Sequence, residues 1–204
     1  MATLTTLTTL ELGDNKIRKI ENLEGLNLHE LYLAKNRIDK IENLSTLKSL
    51  RLLSLQANFL PKIENVESLI TLEEIYLSQN RLTDMKGLET LTLITTIDMA
   101  LNKITAIQSI DTLTHLKELW LNDNLVAESS SIQYLSKFKE LEAIYLERNP
   151  VAKIVNYNAL IIECVPWIKQ IDSTYLNQKI TYTPSADTVN KQKAKDLIEK
   201  VLKK

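Results

Sequence analysis

The chain has 204 residues, of which 44% are hydrophobic and 5% aromatic, and its net charge is −1. Its single cysteine excludes an intramolecular disulfide and suits a reducing compartment. No apolar stretch approaches the ~20 residues of a membrane helix, and the N-terminus lacks the basic and apolar regions of a signal peptide. We therefore expect a cytoplasmic or nuclear protein with no membrane partner.

The charge is distributed unevenly along the chain. Residues 1–176 carry 18 Lys and Arg against 23 Asp and Glu, whereas residues 177–204 carry 7 against 3. A nucleic-acid-binding protein usually shows a basic stripe, and the acidic body gives no indication of one. We therefore expect no nucleic-acid partner.

A Leu-x-Leu-x-x-Asn pattern, with Ile or Met replacing some leucines, recurs along most of the chain. Its asparagines are Asn15, Asn36, Asn58, Asn80, Asn102, Asn124 and Asn149. Consecutive asparagines are 21, 22, 22, 22, 22 and 25 residues apart, a period typical of leucine-rich repeats. The pattern predicts an α/β repeat fold, a right-handed leucine-rich-repeat solenoid over residues 1–149 with about seven repeats, the first one incomplete.

Each Leu-x-Leu segment predicts a short strand of one parallel sheet on the concave face, with side chains that alternate between inside and outside. Leu31 and Leu33 would point into the core and Tyr32 away from it. Each motif asparagine is expected to turn inward and bond backbone groups where the chain leaves the strand, forming a structural ladder. Apolar residues 2, 5 and 8 positions after each asparagine favour short 3₁₀ turns on the convex face.

At the N-terminus, Leu4, Leu7, Leu10 and Leu12 match the apolar residues that lead into the later strands. The chain thus begins inside a repeat, without an evident polar cap. Because terminal repeats normally need a capping surface, we expect either a truncated protein or an unusually short family member.

The interval between Asn124 and Asn149 is three residues longer than the usual 22 and contains a run of serines, Ser129 to Ser131. The serines predict the start of a short helix. A phosphorylation site is the alternative interpretation.

The repeat pattern stops at Pro150, and residues 150–176 are predicted to form a C-terminal cap. Residues 153–165 predict a helix that ends before Pro166. Four apolar residues would then close the core: Trp167, Ile168, Ile171 and Leu176. Residues 177–204 predict a linker and a basic helix, which either docks on the body or binds a partner or a membrane surface.

The sequence shows no catalytic constellation. One cysteine and two histidines fit no zinc-binding spacing, and neither a Gly-x-Gly-x-x-Gly motif nor a phosphate loop is present. We therefore expect no enzyme activity, no cofactor and no metal.

The middle residues of the predicted strands would form the outward face of the sheet. They are Glu11, Tyr32, Ser54, Tyr76, Asp98, Trp120 and Tyr145. Glu30, Glu74, Glu118, Asn122 and Glu147 would lie beside them. A row of aromatic side chains next to carboxylates is typical of a protein-binding surface. The alternative is that the aromatic residues only fill a shallow groove and stabilise the fold.

Several pieces of the sequence resemble one particular family. Residues 118–125 read Glu-Leu-Trp-Leu-Asn-Asp-Asn-Leu, and residues 141–150 end in Tyr-Leu-Glu-Arg-Asn-Pro. Gln-Ile-Asp-Ser-Thr-Tyr follows at 170–175, and Lys-Ile-Glu-Asn begins at Lys19, Lys40 and Lys62. Over roughly residues 7–176, the chain resembles the leucine-rich-repeat regulatory subunit of type-1 serine/threonine protein phosphatase.

The resemblance implies a non-catalytic regulator, monomeric by itself, that binds the phosphatase catalytic subunit on its concave face. The contact positions of that family fall on Glu11, Tyr32, Asp98, Glu118, Trp120 and Tyr145, and we add Tyr76 from the same face. Members of that family typically have further N-terminal repeats, and the basic C-terminal extension lies outside their pattern. The alternative function is a scaffold for another complex, cytoskeletal, ciliary or splicing, because such proteins use similar repeats.

Overall fold

The computed structural model describes residues 6–176. The expectations for Leu4 and for the basic helix within 177–204 therefore lie outside the described residues.

One sheet of nine strands contains every described strand, arranged in the order of the chain. The strands are β1 Thr9–Glu11, β2 Glu30–Tyr32, β3 Leu52–Ser54, β4 Glu74–Tyr76, β5 Thr96–Asp98, β6 Glu118–Trp120, β7 Ala143–Tyr145, β8 Gln170–Ile171 and β9 Thr174–Tyr175. Strands β1 to β8 pair in parallel, and β9 turns back antiparallel to β8. A parallel sheet whose strands follow the chain order requires a return path after every strand, which confirms the predicted repeat solenoid.

Each strand from β1 to β7 begins one residue before its Leu-x-Leu segment. In β2, Leu31 is buried between the half-buried Glu30 and Tyr32. Leu33 follows the strand and is also buried, and its N–H donates to the carbonyl of Ser54 on the next turn at 2.8 Å. The predicted facing of the side chains is right, whereas the predicted strand boundary is displaced by one residue.

The chain returns between strands through single turns closed by bonds from residue i to residue i−3. Leu69 N–H donates to Val66 C=O at 2.9 Å, and Leu72 N–H donates to Leu69 C=O at 3.0 Å. The same pair of bonds recurs in neighbouring repeats, for example at Leu91 and Ile94. These are short 3₁₀-type turns, as predicted, but they join the residues 8, 11 and 14 positions after the motif asparagine, later than the positions 2, 5 and 8 on which the prediction was based.

The longer sixth connection contains helix α1 (Ser130–Tyr134), followed by a 3₁₀ helix at Leu135–Lys137. The serine run thus begins a short helix, as expected. Ser131 is buried, and its hydroxyl accepts a hydrogen bond from the N–H of Ile107 at 3.1 Å.

The segment 150–176 forms a 3₁₀ helix at Pro150–Lys153, helix α2 (Tyr157–Cys164), and strands β8 and β9. The expectation of a helix from residue 153 is wrong at its start. Asn156 has a φ of +65°, and a left-handed residue cannot lie within a right-handed helix. The helix does end just before Pro166, and β8 extends the parallel sheet by one more strand, which the sequence did not indicate.

The core is a continuous cluster of aliphatic side chains that extends from Ile20 to Ile171. Its first turn is covered less well than the others, because Leu10, Leu12 and Ile17 are only half-buried. Within residues 6–176, no helix is long and apolar enough to cross a membrane.

Buried asparagines join consecutive turns of the solenoid. Six of the seven motif asparagines are buried, from Asn36 to Asn149. Each accepts a hydrogen bond from a backbone N–H of the preceding turn and donates to carbonyls of both turns. Asn15 is the exception, since it is exposed and, among the described residues, its amide group donates only to Leu12 and Gly13 of its own turn. We call the six buried residues the asparagine ladder.

The residue before each motif asparagine is left-handed. The seven positions are Asp14, Lys35, Ala57, Gln79, Leu101, Asp123 and Arg148, with φ between +52° and +59°. None is glycine, which agrees with a chain that contains only 3 glycines. A left-handed non-glycine residue costs about 1–2 kcal/mol, and the ladder bonds that follow offset this cost.

Candidate protein-binding surface

The solvent side of the sheet is built from two rows that the strand register aligns. In the inner strands the second residue is buried, so the first and third residues face away from the core. The third residues form the aromatic–acidic row, Glu11, Tyr32, Ser54, Tyr76, Asp98, Trp120 and Tyr145. The first residues form the glutamate row, Thr9, Glu30, Leu52, Glu74, Thr96, Glu118 and Ala143. Side chains from strands about 4.8 Å apart lie in contact along each row.

The seven sequence-predicted site residues lie together on this surface. Six belong to the aromatic–acidic row, and Glu118 lies in the neighbouring glutamate row. The outward residues of β1–β7 include five carboxylates, Glu11, Glu30, Glu74, Asp98 and Glu118, and no Lys or Arg. Aligned charges of one sign on a shared surface attract a partner of the opposite sign.

Tyrosine hydroxyls hold two of these glutamates in place. The hydroxyl of Tyr32 donates to Glu30 Oε2 at 3.2 Å, and that of Tyr76 donates to Glu74 Oε2 at 2.6 Å. Burial and the nearby glutamates raise the pKa of both tyrosines, so the phenols remain protonated donors at neutral pH. Each carboxylate keeps further acceptor capacity for a partner's donors.

Asp98 lies deeper than the sequence suggests. Its side chain is only 3% exposed, since it is placed between Tyr76 and Trp120 in the row. Its carboxylate accepts hydrogen bonds from Gln56 Nε2 at 2.9 Å and from the N–H of Ala100 at 3.0 Å. Asp98 therefore contributes negative charge to the surface but offers a partner little area for direct contact.

Trp120 and Tyr145 form an aromatic pair at the C-terminal end of the row. Their ring centroids are 5.4 Å apart and the rings are inclined at 62°, an edge-to-face arrangement. Gln170 donates to the Tyr145 hydroxyl and orients it. The indole N–H of Trp120 is covered by its neighbours and has no hydrogen-bond partner among the described residues. Tryptophan and tyrosine are the side chains most often found as interface anchors.

Two polar contacts next to this pair stiffen the last turns. Arg148 contacts Asp123 with two parallel hydrogen bonds of 2.5 and 2.8 Å, and it lowers the pKa of that carboxyl. The carboxylate of Asp172 accepts from the N–H groups of Leu146 and Glu147 at 2.7 and 2.9 Å. Sequence reasoning missed Asp172, because it lies beyond the periodic asparagines.

The described residues contain no cluster of three or more His, Cys, Asp and Glu side chains that could hold a metal ion. Cys164, near the end of α2, is half-buried, and burial together with Glu163 raises the pKa of its thiol. A thiol with a raised pKa is a poor nucleophile at neutral pH. The arrangement on the sheet is suited to recognition by contact and charge.

Comparison with solved structures gives the same architecture. An internalin of Listeria monocytogenes shares 22% sequence identity at a TM-score of 0.70, covering 87% of this chain and 50% of that chain. A leucine-rich-repeat protein of Leptospira interrogans shares 28% identity at a TM-score of 0.71, covering 82% of this chain and 43% of its own. The chain therefore spans about half the length of these two proteins.

A chain in the SNF/U2A′ complex of Drosophila melanogaster shares 27% identity at a TM-score of 0.59, covering 68% of this chain and 86% of that chain. No curated protein matches the sequence. A family model described as "Leucine-rich repeat" matches residues 45–202, more than half of the chain. Sequence period, sheet architecture and family match agree, and the chain belongs to the leucine-rich-repeat family.

Proposed function

We propose that the protein is a non-catalytic, cytoplasmic or nuclear regulator that binds the catalytic subunit of a type-1 serine/threonine protein phosphatase. Leucine-rich-repeat proteins commonly bind protein partners. The observation that carries the binding proposal is the Trp120–Tyr145 pair on the same sheet surface as five carboxylates, where the outward strand residues include no Lys or Arg. The identity of the partner rests on the sequence motifs at 118–125 and 141–150, which contain both aromatic residues.

The aromatic and the acidic residues of the two rows have different roles in binding. Trp120 and Tyr145 lose solvent-exposed apolar area when a partner covers them, and such anchors dominate the affinity of protein interfaces. Glu74 and Glu118 accept hydrogen bonds from Arg, Lys or amide groups of the partner. Their charge also steers a basic surface toward the sheet, which raises the association rate at low ionic strength.

Replacing both anchors tests the proposal. The variant Trp120→Ala with Tyr145→Ala is expected to weaken binding to the purified catalytic subunit by about a thousandfold, because each anchor contributes about 2 kcal/mol. A matched control replaces Ile70 and Leu93, two exposed apolar residues on the connections between strands, with Ala. Calorimetric titration should show parental affinity for the control. Unchanged affinity in the anchor variant contradicts the proposed surface.

A second candidate is a scaffold role in another complex, such as a splicing complex. The similarity to a chain in the SNF/U2A′ complex, which this chain covers over 86% of its length, favours it. Affinity capture of the intact protein from its native cells separates the two roles. Recovery of the phosphatase catalytic subunit supports the regulator, whereas recovery of RNA-complex or cytoskeletal subunits without a phosphatase supports the scaffold.

A further inference from the structure

A second surface follows the edge where the chain leaves the sheet. The residues directly after the motif asparagines stack there in consecutive turns: Lys16, Arg37, Phe59, Arg81, Lys103 and Leu125. Backbone bonds of 2.8 to 2.9 Å hold their register, such as Arg37 N–H to Ile17 C=O and Arg81 N–H to Leu60 C=O. Neighbours are thus separated by about 5 Å. We call these six residues the basic edge.

The cations of the basic edge are exposed and form no ion pair within residues 6–176. Lys16, Arg37, Arg81 and Lys103 are all solvent-exposed, and none forms a salt bridge with a residue in 6–176. By contrast, Lys62 on the adjoining turn pairs with Glu64 at 3.0 Å. Cations without an ion-pair partner in the described part of the chain have their charge available for an external anion.

Phe59 interrupts the cations at the centre of the basic edge and is 41% exposed. The Arg81 guanidinium lies over its ring, 4.6 Å from the centroid. Two depressions adjoin the ring, and Arg37 lines both. Asp14 lines the first and Asp39 the second, so cations outnumber acids around each depression. An exposed ring between guanidinium groups offers apolar contact within a positively charged frame.

We propose that the basic edge binds an acidic peptide segment of a protein partner, in an extended conformation, with one apolar side chain packed on Phe59. In an extended peptide, the carboxylates on one side recur about every 6.6 Å. Flexible Arg and Lys side chains spaced about 5 to 10 Å apart can reach carboxylates at this spacing. The acidic strand residues next to the basic edge disfavour nucleic acid as the occupant. A nucleic acid carries a charge on every phosphate and would extend from the basic edge to these carboxylates, whereas a short extended peptide can lie along the basic edge alone.

The proposal is tested by fluorescence anisotropy with the full chain. The probe is a labelled synthetic peptide that consists of Glu and Asp with one Phe at its centre. The variant Arg37→Glu with Lys103→Glu should weaken binding about tenfold or more. Its control is Lys48→Glu with Lys86→Glu, which changes the net charge equally at two exposed cations on the turns opposite the sheet. The control should change affinity by less than about twofold. Phe59→Ala should weaken the Phe peptide selectively and leave a peptide of Glu and Asp alone unaffected.

Other outcomes overturn the proposal. If the parent chain does not bind the peptide, the proposal is wrong. If both charge variants lose affinity equally, the binding is only a non-specific effect of charge. If a single-stranded oligonucleotide of the same charge binds more tightly than the peptide, the occupant is nucleic acid. If the parent chain self-associates in analytical ultracentrifugation and the Arg37→Glu, Lys103→Glu variant does not, the occupant is a second copy of the chain. Thermal unfolding of each variant establishes that lost binding is not lost folding.

Discussion

Asn58 shows how a single side chain joins two turns of the solenoid. Its Oδ1 accepts from the N–H of Ile38 at 2.9 Å, and its Nδ2 donates to the carbonyls of Leu33 and Leu55 at 3.0 and 3.1 Å. All these groups are buried, where water cannot replace the bonds. A hydrophobic residue of similar size would fill the space but leave the backbone groups unpaired.

We therefore expect Asn58→Ala to lower the free energy of unfolding by about 2 kcal/mol or more, because an unsatisfied buried group costs about 1–3 kcal/mol. Asn15→Ala is the matched control, since Asn15 is exposed and, within residues 6–176, forms side-chain hydrogen bonds only to its own turn. Its expected effect is within about 0.5 kcal/mol. Urea unfolding followed by circular dichroism measures both. Equal losses in the two variants would mean that the inter-turn bonds add nothing.

The asparagine ladder could be predicted because one residue type recurs at a fixed period. The extent to which an individual side chain is buried could not be predicted. The period of two places Asp98 on the outward face correctly. Its burial depends on the bulk of Tyr76 and Trp120 on either side, which a one-dimensional pattern does not describe. Asn15 differs from the later asparagines because the described chain has no earlier turn to supply its partners.

At the scale of the element, the turns opposite the sheet contain a second left-handed position that sequence reasoning missed. It lies seven residues after the motif asparagine and is occupied by Asn22, Asn43, Asn65, Gly87 and Ser109, with φ between +59° and +100°. Asn43 and Asn65 also donate from Nδ2 to the carbonyls of Ile20 and Ile41 at 2.6 and 2.7 Å. The sequence carries a signal for this position, because the repeated Lys-Ile-Glu-Asn units place Asn22, Asn43 and Asn65 there.

At Gly87 this position has a conformation that leaves no room for a Cβ. Its φ is +100°, and a Cβ built there would lie 2.5 Å from the carbonyl oxygen of Ile63. We expect Gly87→Ala to destabilise the protein by the left-handed cost of about 1–2 kcal/mol and by a further 1–3 kcal/mol, roughly, for the steric clash.

Gly25→Ala provides the comparison, because Gly25 has a φ of +80° and no atom within 4 Å of the added Cβ. Only the conformational cost of about 1–2 kcal/mol is expected there. Midpoints of thermal unfolding should rank parent, Gly25→Ala and Gly87→Ala in descending order. If the two variants unfold together, the contact with Ile63 is not a constraint on this turn.

Irregular elements were the least predictable part of the fold. Residues 153–165 have a composition that suits a helix throughout, yet α2 begins at Tyr157. The left-handed Asn156 follows a 3₁₀ helix that Pro150 begins, and this local geometry overrides helix propensity. Strand β8 consists of only two residues, too few for an alternating pattern to show.

At the scale of the whole molecule, the repeats place charges of opposite sign on different surfaces. Residues 1–176 carry 18 Lys and Arg against 23 Asp and Glu, and they include both a sheet surface whose strand residues carry acids without cations and a basic edge with four exposed cations. Each surface arises because the same position of the repeat is placed side by side in consecutive turns. The overall composition suggested neither surface, whereas the repeat register predicted the first and could have predicted the second.

Because each turn of a solenoid contacts only its neighbours, local stability should follow position along the stack. The amide of Leu12 donates to Tyr32 C=O at 2.8 Å from a half-buried first turn. The amides of Leu55 and Leu77 make the same bond in interior turns, where both side chains are buried completely. The first described turn contacts one described neighbouring turn, whereas an interior turn contacts two.

We therefore expect the Leu12 amide to exchange with deuterium about a hundredfold faster than the Leu77 amide, after correction for intrinsic rates. Leu55 is the internal control and should match Leu77 within a few-fold, because it also lies between two complete turns. Native-state exchange followed by two-dimensional NMR measures all three amides in one sample. Equal protection of Leu12 and Leu77 would show that the solenoid opens as a single cooperative unit, and the nearest-neighbour account of its stability would then be wrong.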